Sequence, residues 1–402
     1  MITVEQAQAH ILASIPVLQA QERVSVWQAQ GRILAQPVTA PLDVPPHRNS
    51  AMDGYALRHA DLASATALSV IGTAFAGRPF AGSVQSGECV RIMTGAVVPD
   101  GADSVVMQEN VQREGESIRL AGTLALGENV RHPGEDMRSG DNVLDSGRKL
   151  NAADLGLIAS LGIGDVTVLR RPRIAFCSTG DELKSIGETL QPGDIYDSNR
   201  YTLYGLLQKL EVEIIDLGVV RDTPAAVEHA FAQQAMALAD MLITSGGVSV
   251  GEADYVAATL KQLGQVNFWK IAMKPGKPLT FGTLGNGFFF GLPGNPVSVM
   301  ATFLLFVRPA ILRMRGESIP LTPEYSAICD TPLAKSAGRK DYQRGICTRD
   351  ASGQWRVSST GGQGSHILRS MSQANCFIVL PQEWGDVAAG TTVNIIPFEG
   401  LL

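Results

Sequence analysis

A chain of 402 residues exceeds what one ordinary hydrophobic core organises, so two to four domains are expected. Its 45% hydrophobic and 18% charged residues are those of a soluble globular enzyme. The formal net charge of −6 and the lack of a basic block argue against a nucleic-acid partner.

The start, Met1-Ile2-Thr3-Val4-Glu5, has no basic region ahead of an apolar core, and no signal peptide is expected. Thr3 and Gln6 suit a capping box for a helix with the stripe Val4, Ala7, Ile11 and Ile15, closed by Pro16. From Leu42 the texture changes. Pro41, Pro45 and Pro46 stiffen the entry to Asn49-Ser50-Ala51-Met52-Asp53-Gly54-Tyr55, and alternating runs follow at 67–75, 88–93, 104–108 and 117–120. They predict a β-rich insertion of about a hundred residues. It ends near Arg131-His132-Pro133-Gly134-Glu135-Asp136, before a helix over 152–161.

At Arg173 strands begin to alternate with helices: strand 174–178, helix 198–210, strand 213–220, helix from Thr223-Pro224 to 238, strand 241–244. Further strands are expected at 268–272 and 288–290, then a long apolar helix over 297–314. This rhythm implies a parallel sheet with ligands at the strands' C-terminal ends. Beyond Pro320, short runs and the hairpin signal Ala351-Ser352-Gly353 lead to the run 393–398 and a small all-β domain. The strongly apolar stretch 297–307, interrupted by Ser298 and Thr302, falls short of the ~20 residues of a membrane span, so no membrane partner is expected. Cys89, Cys177, Cys329, Cys347 and Cys376 form no C-x-x-C pair and read as reduced structural thiols of a cytoplasmic protein.

Four loops should gather at one edge of that sheet: Thr179-Gly180-Asp181-Glu182, residues 244–254, Lys274-Pro275-Gly276-Lys277-Pro278 and Gly291-Leu292-Pro293-Gly294-Asn295-Pro296. The second holds Ser245, Gly246 and Gly247 between a strand and a helix carrying Tyr255, Val256, Leu260 and Leu263, with Gly264 as the stop. Backbone N–H groups in such a loop turn toward an anion, and Glu252 and Asp254 suit a helix dipole or a metal beside phosphate. Lys274 and Lys277, fixed between prolines, suit an oxoanion. The Gly-Pro loop ahead of Val297 leaves helix N–H donors for the same purpose.

Each feature has a plainer reading. Asp181 and Glu182 serve a helix N-terminus equally well, the lysines are ordinary solvated charges, and Pro293 and Pro296 fix a turn. Asp53 fits an Asp-Gly turn, Thr94 and Asp136 fit turns or caps, and the six histidines show no metal-binding spacing. Residues 247–251 also match the G-x-S-x-G elbow of a serine hydrolase, with Ser249 as nucleophile. The one histidine downstream, His366, lies in the separate C-terminal region. Gly276-Lys277 is no Walker loop, because Pro278 replaces the Ser/Thr and Ile271 the first glycine.

Taken together, Asn49 to Ala56, Met93-Thr94-Gly95-Ala96, Pro133-Gly134-Glu135-Asp136, Thr179-Gly180-Asp181-Glu182, residues 245–254, 274–278 and 291–298 occur in an order that resembles the molybdopterin molybdenumtransferase (molybdenum insertase) family, which includes bacterial MoeA and the gephyrin E domain. Gly364-Ser365-His366 and Gln373-Ala374-Asn375 extend the resemblance to the last domain. It implies a multidomain α/β plus β fold. A molybdopterin-binding α/β domain with a parallel sheet would take residues 1–20 and 172–316, and a small linking domain 21–40 and 141–171. The β-rich insertion would cover 41–140 and the C-terminal β domain 317–402. It also implies a cytoplasmic homodimer with shared active sites, contacts with other molybdenum-cofactor biosynthesis proteins, and Mg²⁺. The substrates would be adenylylated molybdopterin and molybdate, with pyrophosphate cleavage and release of AMP.

By matching motif, the resemblance makes Glu182, Asp222 and Asp254 line the pterin–phosphate pocket, with Glu182 and Asp254 on the metal. Thr179, Gly180, Ser245, Gly246 and Gly247 would contact pterin or phosphate. Lys270, Lys274, Lys277, Pro293, Pro296 and Ser298 would bound the oxoanion end, and Arg344 and Ser365 the molybdate side. Asp53, Thr94, Arg131 and Asp136 would face the partner's pocket. His47-Arg48 departs from the acidic flank expected before Asn49, setting a cation beside Asp53 that would lower its pKa or meet phosphate. A molybdopterin adenylyltransferase and a non-catalytic pterin-binding scaffold are the nearest alternatives.

Overall fold

The computed structural model describes residues 1–231, 239–246, 259–260, 262, 264–318, 323–399 and 401. Contacts divide the chain into two compact units, Met1–Glu22 with Leu169–Leu402, and Arg23–Val168. The chain starts in the first with helix α1 (Val4–Ser14), whose Thr3–Gln6 capping box forms as expected.

In Arg23–Val168 six strands build one sheet: β1 (Gly54–Leu57), β2 (Leu68–Ala74), β3 (Glu88–Ile92), β4 (Ser104–Met107), β5 (Val111–Glu114) and β6 (Ser117–Leu120). Their order is β4-β1-β3-β2-β6-β5. Every β1 side-chain position is buried, because Ala56 packs in one cluster with Val90 and Val105 while Tyr55 and Leu57 pack in another with Leu68 and Ile118. A separate core of Leu34, Val38, Leu144 and Val166 surrounds Ile158 of helix α2 (Ala152–Ser160), capped by Asn151.

The other unit carries the α/β sheet. Its members are β7 (Arg173–Thr179), helix α3 (Ser198–Gln208), β8 (Glu213–Val220), helix α4 (Pro224–Glu228), β9 (Met241–Ser245), β10 (Gly264–Lys270), β11 (Pro278–Leu284), β12 (Gly287–Leu292) and helix α5 (Pro296–Met314). The strand order is β8-β7-β9-β12-β11-β10. The first four run parallel, and β11 and β10 continue antiparallel. Both faces of β7 are covered. Ile174 and Phe176 pack with α1, α3 and α5, and Ala175 and Cys177 with Val227 and Phe231, hence the unbroken apolar run.

Two expectations are corrected here. Helix is still present at Gln262 and is over by Gly264, where β10 already begins, so the strand runs Gly264–Lys270 rather than 268–272. β11 was not expected, because Pro278 was placed in the loop 274–278; Pro278 is tolerated as a strand's first residue. Helix α5 is, by length and composition, apolar enough to cross a membrane, yet 83% of its most apolar window is buried in the molecule. All five cysteines are free and buried.

The remaining strands, β13 (Tyr325–Cys329), β14 (Lys340–Arg349), β15 (Trp355–Ser359), β16 (Cys376–Leu380) and β17 (Thr392–Pro397), close into a barrel, since β16 pairs with both β17 and β14. Helix α6 (Leu368–Gln373) precedes β16. The short strand Met273–Lys274 joins the barrel in parallel with β14, Met273 opposite Lys340 and Lys274 opposite Asp341.

Candidate active site

β7, β9 and β12 end at Thr179, Ser245 and Leu292, so the loops that follow share one sheet edge. β10 runs antiparallel to β11, and β11 to β12, which brings residues 271–277 to the same edge. There a cavity of about 1110 Å³ is lined by Gly246, Lys274, Lys277, Pro293, Gly294 and Ser298 from the α/β part. Arg339, Gln343, Gln363 and Ser365 come from the barrel. Among the described residues lining it are the cations Lys274, Lys277 and Arg339 and no carboxylate.

Two glycines make the wall. Gly246 has φ of 89°, and a Cβ there would lie 2.6 Å from the Thr179 carbonyl oxygen, so only glycine lets β7 and β9 end this close together. Gly276 has φ of 97°, and its Cβ would meet Thr302 of α5 at 2.7 Å. Lys274 Nζ lies 3.8 Å from Asp341, whose carboxylate is buried and also accepts from Gln343 Nε2 at 3.2 Å.

The α5 N-terminus contributes less than its sequence suggests. Pro296 has no N–H, and Val297 donates to the Ser365 carbonyl at 3.1 Å, so Ser298 remains as the cavity-lining residue of that turn. That same bond fixes Ser365. Arg344 is 1% exposed and turned to internal work: Nε donates to Ser370 Oγ, and Nη2 to the Gly362 and Gly364 carbonyls. Burial pulls its pKa down. It shapes the loop that carries Ser365. Arg339, which the motif reading passed over, lines the cavity in its place.

The other candidates lie around this edge. Thr179 and Ser245 are buried at the strand ends. Gly180 has φ of 148°, with the Glu182 carboxylate folded against it. No helix starts at Asp181; a short strand, Leu183–Lys184, follows instead. Asp181 Oδ1 accepts from the Asp222 N–H at 3.3 Å, which places Asp222 beside that loop at the end of β8. Lys270 is exposed at the end of β10 and does not line the cavity. Gly247, Ser249, Glu252 and Asp254 lie outside the described residues.

Four candidates belong to Arg23–Val168. Asp53 precedes β1 and Thr94 follows β3, its antiparallel neighbour; Thr94 N–H and Oγ1 each donate to Asp53 Oδ1 at 2.7 Å. The Thr94 backbone N–H first, then its hydroxyl and the Arg91 charge, hold the Asp53 carboxyl below the usual range. Arg48 has no part in this: it donates to the Ala102 carbonyl at 3.2 Å, which corrects the expectation drawn from His47-Arg48. Arg131 pairs with Asn49, and Asp136 donates its N–H to Val44; both side chains are exposed.

Comparison with known proteins accounts for nearly the whole chain. Residues 2–162 match the family described as MoeA N-terminal region (domain I and II), and residues 175–313 a probable molybdopterin binding domain. Residues 326–398 match the MoeA C-terminal region (domain IV). A molybdopterin molybdenumtransferase of Haemophilus influenzae is 48% identical over 404 residues, covering 100% of both chains. The chain belongs to the molybdopterin molybdenumtransferase (MoeA) family. A Nostoc sp. molybdopterin molybdenumtransferase is 37% identical, covering 95% of this chain and 90% of that protein. The crystal structure of a molybdopterin biosynthesis MoeA protein from Pyrococcus horikoshii superposes with a TM-score of 0.82 at 30% identity, covering 99% of each chain. The MoeA fold is thus shared across the full length, with its α/β part and its β-rich parts in the same arrangement along the chain.

Proposed function

We propose that this chain is the molybdenumtransferase of molybdenum cofactor biosynthesis, with adenylylated molybdopterin and molybdate as substrates. Molybdenum enters the dithiolene, the pyrophosphate link is cleaved and AMP leaves. The observation that carries this reading is the cavity wall of Lys274, Lys277 and Arg339 with no carboxylate among its described lining residues. Such a wall attracts molybdate and pyrophosphate oxygens and stabilises the charge that grows on them as the link breaks. Ser365 and Ser298 add neutral hydrogen-bonding groups beside the cations.

Mg²⁺ belongs to this reading. Glu182 is exposed, its carboxylate makes no hydrogen bond or ion pair among the described residues, and it lies at the same edge, which suits an ion that takes most of its ligands from phosphate and water. Asp254 would be its companion. Bound there, the ion would neutralise phosphate oxygens. We place the enzyme in the cytoplasm, as a homodimer whose Asp53 and Thr94 complete the partner's cavity, in contact with other proteins of the same biosynthesis.

The test is AMP release from adenylylated molybdopterin on addition of molybdate. The expected result is molybdate-dependent AMP, lost in Lys274→Ala. Tight binding without AMP would identify a scaffold, and ATP-dependent AMP transfer without molybdate an adenylyltransferase. Shared sites are tested by mixing Asp53→Ala and Lys274→Ala chains: activity returning in the mixture supports them, and none returning refutes them.

A further inference from the structure

We propose that Gln343 is the hydrogen acceptor of the cavity. Its amide oxygen takes the O–H of an oxoanion and so holds the oxygen that molybdate gives up as water, a reading that rests on the function proposed above. Asp341 and Gln343 stand two residues apart on β14 and turn to one face of it. Gln343 Nε2 donates to the Ala334 carbonyl at 2.9 Å and to Asp341 Oδ2 at 3.2 Å. Both amide hydrogens are thereby used, and both partners only accept. The amide cannot turn over without setting its oxygen against a carbonyl and a carboxylate.

What remains is Oε1. Gln343 lines the cavity and is 2% exposed. Its Oε1 accepts no hydrogen bond among the described residues, and it is not one of the sealed side-chain atoms without a partner. That oxygen is therefore open to the cavity that the residue lines. Asp341 Oδ2 also faces Lys274 Nζ at 3.8 Å, so a single carboxylate oxygen separates the ammonium from the amide. A tetrahedral oxoanion can take a hydrogen bond from Lys274 and meet Oε1 with another of its oxygens.

A bare oxoanion offers only acceptors, so Oε1 has nothing to gain from it; an oxygen that carries hydrogen is its complement. Molybdate enters without hydrogen, and the dithiol of molybdopterin brings two on sulfur. As two Mo–S bonds form and one Mo–O bond breaks, both thiol hydrogens end on the departing oxygen. A molybdate dianion and a neutral dithiol thus give a trioxo dithiolene dianion and one water, and molybdenum keeps its oxidation state. Oε1 is unpaired while molybdate sits in the cavity and gains its donor only when that O–H appears. Such a contact favours the transition state over the bound substrate.

Gln343→Lys keeps donors for Ala334 and Asp341 and removes the acceptor; Gln343→Met removes both and keeps the length. The full-length variants would be assayed for AMP release from adenylylated molybdopterin at saturating molybdate, and for molybdate affinity by equilibrium dialysis. Turnover should fall about tenfold or more in both, while molybdate binds within about threefold of wild type in Gln343→Met and more tightly in Gln343→Lys. A second measurement needs no pterin: displacement of labelled molybdate by hydrogen phosphate and by sulfate at mildly alkaline pH, where both are dianions and only the first carries hydrogen. Wild type should prefer hydrogen phosphate about tenfold, and both variants should lose the preference. A wild-type chain indifferent to the two anions, or wild-type turnover in both variants, overturns the proposal. So does a molybdate affinity that falls as far as turnover. A wild-type chain that prefers hydrogen phosphate but releases no AMP upholds the acceptor and overturns the function proposed for the site.

Discussion

Arg344 separates two accounts of the molybdate side, one in which its guanidinium touches the anion and one in which it builds the loop that does. The structure supports the second. Arg344→Ala removes the bonds to Ser370 Oγ at 3.1 Å, Gly362 O at 3.2 Å and Gly364 O at 3.0 Å. It leaves the buried Ser370 Oγ and the partly buried Gly362 and Gly364 carbonyls around a vacated side-chain volume. Unmet buried groups cost roughly 1–3 kcal/mol each, and with partial relaxation the sum is about 3–5 kcal/mol. For a unit of this size each kcal/mol moves the melting temperature by about 2–4 °C, so the transition should fall by roughly 10 °C without any ligand. Scanning calorimetry of the ligand-free chain, followed by molybdate titration below the new transition, is the assay. Molybdate affinity should fall as well, because Ser365 rides on that loop. A variant that melts like wild type and binds no molybdate would refute the reasoning and return Arg344 to the anion.

Lys274→Ala should show the reverse pattern. Its side chain is 46% exposed and its ion pair with Asp341 is long, so stability should change by less than about 1 kcal/mol while molybdate affinity drops about tenfold in titration calorimetry. Gly246→Ala places a methyl 2.6 Å from the Thr179 carbonyl at a φ of 89°. Denaturant unfolding should register a loss of about 1–3 kcal/mol, and pterin binding should weaken with it. Thr94→Ala removes one of the two bonds that keep Asp53 ionised. Because the Asp53 pKa is lowered in the folded chain, its charge persists below the ordinary carboxylate range and is lost only as the pH falls through the lowered value. The variant's midpoint should move up toward that range in carboxyl NMR, and an unchanged midpoint would remove Thr94 from the account.

Local signals survived folding well. The Thr3–Gln6 capping box, β6, β8 and the Pro224 start of α4 are where their residue patterns put them, because each depends on neighbours in sequence. The sheet edge was legible too, since parallel strands joined by helices leave one place for the loops. What stayed hidden depends on partners far along the chain. β11 has no signal of its own after the Pro278 loop and takes its place only when β10 and β12 flank it. Arg344 and Arg339 are five residues apart on or beside one strand, and nothing in their spacing says which is buried and which faces the cavity. Arg48 suggests an ion pair with Asp53, and only the fold shows that its donor goes to the Ala102 carbonyl 54 residues away.

The cationic wall shows why such pairings matter to the chemistry. Lys274 and Lys277 belong to the link between β10 and β11, whereas Arg339 precedes β14 in the barrel. Side-chain attraction cannot hold like charges together; backbone pairing can. Met273–Lys274 pairs with Lys340–Asp341, and the Lys340 N–H donates to the Ala272 carbonyl at 2.9 Å. On the opposite side the Val297 N–H donates to the Ser365 carbonyl at 3.1 Å. The barrel is thereby fastened to the α/β part at two points on the rim of the cavity. Main-chain bonds thus hold Lys274, Lys277 and Arg339 on one cavity wall, with the buried Asp341 3.8 Å from Lys274 Nζ.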